Sequence, residues 1–137
     1  MKKRMQFFAL VILFSLILST VAFAAMNSSD YIDTTSAHIT RNGNTVTVNF
    51  YVVGVGIMDE IGVKNIYLYE LNGSSWSLVK TFNYLDPLYA ATMMQSNTHT
   101  KNGSVSYSGS AGKQYFASCW FYAEKDGGSD TITHNAY

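Results

Sequence analysis

From Ser36 onward apolar and polar residues change places at nearly every step, and a period of two marks strands with one buried face. Ala37 and Ile39 alternate with His38 and Thr40. Val46, Val48, Phe50 and Val52 alternate with Thr45, Thr47, Asn49 and Tyr51. Between the two runs stands Asn42-Gly43, whose residues tolerate the positive φ of a two-residue hairpin turn. A turn at 42–43 pairs Ile39 with Val46 and Ala37 with Val48. Both apolar sets then share one face, and His38 lies opposite Thr47 on the other.

Further along, residues 54–62 (G-V-G-I-M-D-E-I-G) predict a glycine-punctuated loop with one helical turn over 58–61. A third strand is expected over 63–71, and Asn72-Gly73-Ser74-Ser75 turns it into a fourth at 76–82. Asp86-Pro87 breaks the chain again, and 88–97 reads equally as a helical turn or an edge strand. A short strand at 104–108, a turn at 109–112 and a long aromatic strand at 115–124 follow. A hairpin loop at 125–130 leads to a closing strand at 131–135. About seven short strands, with no helical pattern beyond a turn or two, predict an all-β antiparallel β-sandwich over residues 36–137.

The first residues follow a different pattern. Lys2, Lys3 and Arg4 precede an apolar run from Phe7 to Phe23, and Ala22 and Ala24 supply an A-x-A cleavage site. That order predicts a secretory signal peptide over 1–24 and a secreted, extracellular domain. The run is just long enough to cross a bilayer, so a retained anchor is the alternative. No cysteine follows it for lipid attachment, and after cleavage no membrane association is expected. Residues 25–35 are small and polar and read as a flexible lead.

Removing the signal segment changes the charge. Six basic residues then face nine acidic ones, a formal −3 without a basic stripe, which argues against nucleic acid as a partner. Cys119 is the single cysteine, so no intrachain disulfide forms. A secreted domain held by packing alone fits bacterial export better than a disulfide-rich scaffold.

The stretch A-G-K-Q-Y-F-A-S-C-W-F-Y-A-E-K-D-G-G-S, residues 111–129, resembles the end of a fibronectin type III-like domain. Residues 66–82 (I-Y-L-Y-E-L-N-G-S-S-W-S-L-V-K-T-F) resemble the middle of small secreted Ig-like sandwich proteins of Gram-positive bacteria. The resemblance implies that Tyr115 is a corner tyrosine and that Ala117, Cys119, Phe121 and Ala123 face inward. It also implies an Ig-like strand arrangement and no particular activity. The usual tryptophan of the second strand is missing, with Val48 and Phe50 in its place.

Aromatic residues are the compositional excess, at 15% of the chain. If Ile66 and Leu68 point inward, Tyr67 and Tyr69 point outward. On the long aromatic strand Phe116, Ser118, Trp120 and Tyr122 lie opposite the inward set. The two strands are neighbours in Ig-like domains, so Tyr67, Tyr69, Trp120 and Tyr122 are the candidate binding residues. Such a face suits an extracellular protein, a second copy in a weak homodimer, or a polysaccharide. The plainer alternative is cross-strand stabilisation of the sheet by about 0.2–1 kcal/mol per pair.

Other groups point to less. Asp59 and Glu60 share one end of the fold with Asp126 and Asp130, but their spacing matches no calcium loop. His38, His99 and His134 are scattered without zinc spacing, so no metal or other cofactor is expected. Alternation puts Cys119 in the core as an inert thiol. With no nucleophile motif, the reading is a non-enzymatic binding module, without catalytic residues.

Overall fold

The computed structural model describes residues 29–137, so the signal segment assigned to 1–24 and the start of the lead lie outside the described residues. One antiparallel sheet contains β1 (Ile32–Asn42), β2 (Thr45–Asn72), β3 (Ser75–Asn83), β4 (Met94–Ser108), β5 (Tyr115–Lys125) and β6 (Gly128–Ala136). A single helical turn, α1 (Ala90–Met93), joins β3 to β4.

β2 organises the molecule. Its first part, 45–53, is flanked by β1 and β4, and its last part, 65–70, by β3 and β5, with β6 beyond β5. Between them Glu60, Ile61 and Gly62 pair with β4 on one edge and β5 on the other, so the strand never breaks. We call the two parts, with their neighbours, the first and second arms. Along its ladders with β4 and β5 the register shifts between Val53 and Met58 and between Val63 and Asn65. Each irregularity bends a strand and resets which side chains point inward. Hence Val46, Val48, Phe50 and Val52 are buried, then Ile61 and Val63, then Ile66 and Leu68. All join one core with Ala117, Cys119 and Phe121.

Residues 54–62 are therefore not a loop but a bent strand. Gly56 takes φ 95°, a conformation that side chains resist, and supplies the bend. The glycines read as loop punctuation are what lets one strand serve both arms. Gly62 has a second reason: a Cβ there would meet the Met93 carbonyl oxygen at 2.0 Å, so glycine lets α1 lie against β2.

Other boundaries also move. The hairpin closes with Asn42 opposite Thr45, so Gly43-Asn44 form the turn and Ile39 pairs with Val48, not Val46. This two-residue slide keeps both apolar sets on one face, as the period of two requires. The region left ambiguous, 88–97, divides between α1 and the start of β4, which also takes in the short strand expected at 104–108. The strands number six, not about seven, because the expected second and third are one.

From Ser29 onward the lead is anchored, where flexibility was expected. The Ser29 hydroxyl donates to Asp130 Oδ2 at 2.6 Å, and the Asp30 N–H donates to the same oxygen at 2.8 Å. Ser29 Oγ also accepts the Ile32 N–H at 2.7 Å, and β1 begins there. β1 then lies beside β6 without ladder bonds; Thr35 Oγ1 and His134 Nδ1 are 3.3 Å apart across the gap.

Candidate functional site

On the second arm, alternation in β2 and β5 separates two kinds of side chain. Ile66, Leu68, Ala117, Cys119 and Phe121 are buried, while Tyr67, Tyr69, Phe116 and Trp120 face the other way. The ladder sets Tyr69 opposite Phe116, Tyr67 opposite Ser118 and Asn65 opposite Trp120. Tyr69 and Phe116 stack with centroids 4.7 Å apart, and Tyr67 meets Trp120 edge-on at 5.3 Å. Trp120 keeps 40% of its surface exposed.

β3 extends this face through an irregularity of its own. The register jumps from Leu68–Lys80 to Tyr69–Leu78, leaving Val79 without an opposite residue. Phe82 is buried, yet Leu78 and Trp76 are exposed, and Trp76 meets Phe116 edge-on at 5.1 Å. Tyr137, 77% exposed, also stacks on Phe116, with centroids 5.8 Å apart. Trp76 fits either phase of alternation in the sequence, and the bulge that decides it has no glycine to announce it.

Tyr122 does not belong to the open face. It is only 7% exposed, with Lys64 Nζ 3.4 Å from its ring centroid and its hydroxyl donated to Glu124. Burial, then the Glu124 hydrogen bond, raises its pKa. The expectation erred because strand parity gives the side of the sheet and not what covers it. Tyr67, Tyr69 and Trp120 remain in one contiguous group.

Other titratable groups have structural partners. Tyr115, which opens β5, donates its hydroxyl to Glu70 Oε2 at 2.5 Å and accepts the Ser110 N–H at 2.8 Å. Burial, then the hydrogen bond to Glu70, raises its pKa. Burial pushes the Cys119 thiol up to about 12, which removes the thiolate a nucleophile needs. Lys101 is buried and donates to the Ala91 carbonyl at 2.8 Å, and burial lowers its pKa.

The bend of β2 and the turn after β5 do come together: Asp59 Oδ2 accepts the Asp126 N–H at 2.7 Å. Among the described residues no group of three or more His, Cys, Asp or Glu side chains is placed to hold a metal ion. What the aromatic face can do chemically is bury ring area and offer edges, faces and tyrosine hydroxyls to a partner. Comparisons with protein-family models, curated proteins and solved structures returned no significant match.

Proposed function

We propose that this chain is an exported, non-enzymatic binding module with an Ig-like β-sandwich architecture. Its working surface is the face of Tyr67, Tyr69 and Trp120, extended by Phe116 and Trp76. One observation carries the reading: large rings gather on the outer side of the second arm, where the core gains nothing from them. The Ig-like assignment is supported by the Tyr115 hydroxyl accepting a backbone N–H five residues upstream, as a corner tyrosine does. It is supported also by β1 lying against β6 over a common core. The partner is an extracellular protein or a second copy of the chain, bound by burial of aromatic area.

Sedimentation velocity over a wide concentration range tests this. Mass should rise with concentration, or with added partner, and Trp120→Ser should abolish the rise while leaving the fold intact. Identical monomers for both proteins would count against self-association through this face.

A second reading, a carbohydrate-binding module, draws on one further feature. The rings recur at two-residue spacing along β2, so they form a track about 20 Å long from Trp120 to Trp76. A polysaccharide should then shift tryptophan fluorescence while the protein stays monomeric.

A further inference from the structure

At one end of this track the last turn of the sheet leaves a groove of about 550 Å³, lined by Ile39, Arg41, Trp76, Lys113, Gln114 and Tyr137 over the Tyr115 ring. That is the size of a small-ligand site. We propose that the groove binds a uronic-acid unit of an extracellular polysaccharide, with the neighbouring neutral units lying over the rings that lead away from it. The proposal rests on the binding-module reading in its saccharide form.

Each part of the groove has a counterpart in such a sugar. Trp76 and Tyr137 are exposed rings that both contact Phe116, so they offer apolar surface to the C–H faces of a pyranose and continue into the track. Gln114 offers an amide that both donates to and accepts from hydroxyls.

The carboxylate would meet two cations. Arg41 is held by carbonyls: Nη1 donates to Lys113 O at 2.6 Å, and Nη2 donates to Ser110 O at 3.0 Å and Gly43 O at 3.4 Å. Neutral acceptors fix the guanidinium in place and leave its charge unneutralised. Lys113 Nζ donates one hydrogen to Asn72 Oδ1 at 2.7 Å and has two more to give. No carboxylate side chain is among the lining residues; Glu70 lies behind Tyr115, buried, with Tyr115 donating to it.

The described residues, with six cations against nine acids, thus place two of those cations beside two exposed rings. The location of the charge selects the ligand. Single-stranded nucleic acid needs cations along the whole backbone track. Here two open cations stand at one end; Lys64, at the other, is held over the Tyr122 ring, and Tyr67 and Tyr69 between them have none. A saccharide that sets one uronate in the groove and a neutral unit over the adjoining rings meets that pattern.

The test uses a hexasaccharide of alternating glucuronate and N-acetylglucosamine, titrated against the purified protein by calorimetry and tryptophan fluorescence. Binding should weaken as salt rises. Carboxyl reduction of the same hexasaccharide should raise Kd about tenfold or more, as should Lys113→Glu and Trp76→Ala, each checked for folding by circular dichroism. Lys125→Glu makes the same charge change elsewhere and should leave Kd within about twofold. Equal binding of the carboxyl-reduced sugar, or equal loss in Lys113→Glu and Lys125→Glu, overturns the groove while leaving a saccharide module standing. Absence of binding to either sugar, together with mass that rises with concentration, overturns the saccharide reading and leaves the protein-binding face. Tighter binding of polythymidylate than of the hexasaccharide overturns both.

Discussion

The two arms of the sheet share a central strand and a core but not an outer surface. On the first arm the outward residues of β1, β2 and β4 are mostly serine, threonine and asparagine, closed into small hydrogen bonds. Thr47 Oγ1 lies 3.0 Å from Ser106 Oγ, and Asn49 Nδ2 donates to Thr40 Oγ1 at 3.1 Å. On the second arm the corresponding positions of β2 and β5 are Tyr67, Tyr69, Phe116 and Trp120. Inward, the arms are alike: Val46, Val48 and Phe50 answer Ile66, Leu68 and Phe121. The fold is thus satisfied with a polar outer face, and the aromatic one is an addition to it. That difference directs attention to the second arm as the working surface.

The sharpest way to break the comparison is through the core. Phe50 and Phe121, one from each arm, are both buried, and replacing either with alanine should cost about 3–5 kcal/mol in chemical denaturation. A loss below about 1 kcal/mol at either site would mean that the arms do not share their interior. Outside, the expected effect is smaller. Tyr67→Thr gives the second arm the chemistry of the first and should cost no more than about 0.2–1 kcal/mol, the worth of a cross-strand pair. A larger loss would make the rings part of the stabilising structure and weaken the case for a binding face.

The smallest effect concerns the strand edges where the arms meet. The Ser29 hydroxyl lowers the Asp130 pKa, with the Asp30 N–H adding to it and partial burial opposing it. A carboxyl with a depressed folded pKa contributes stability above its unfolded value, about 3.9, and loses it as pH falls through the folded one. Wild type should therefore lose melting temperature on acidification through that window more steeply than Asp130→Asn. Parallel acid profiles would show that the contact contributes nothing.

What the sequence revealed follows from what a period of two encodes. It gives the side of the sheet reliably, so Val48, Phe50, Ile66 and Phe121 were expected inside and are buried. It gave the all-β class for the same reason, while the turn at 72–75 came from its Asn-Gly-Ser-Ser residues. Three things escaped it. The glycines at 54, 56 and 62 looked like a loop, because local composition does not distinguish a bend within a strand from a break between two. Tyr122 was expected to be open, although Lys64 from the neighbouring strand covers it. Trp76 owes its place to an irregularity opposite Leu68 and Tyr69, a cross-strand event with no single-strand signature. The groove at Arg41 was illegible for a related reason. It draws on β1, β3, the start of β5 and the residue after β6, which only the folded chain brings together.

The hydrogen bonds from Ser29 and Asp30 to Asp130 give the domain a polarity. They fix the beginning of the described chain at one end of β1, while Arg41 and the groove lie at the other, about 33 Å along the strand. Any support that grips the chain upstream of Ser29 therefore holds the molecule by the end opposite the groove. Fluorophores or surface linkers attached upstream of Ser29 should leave the groove unobstructed, which makes that end the natural place to immobilise the protein.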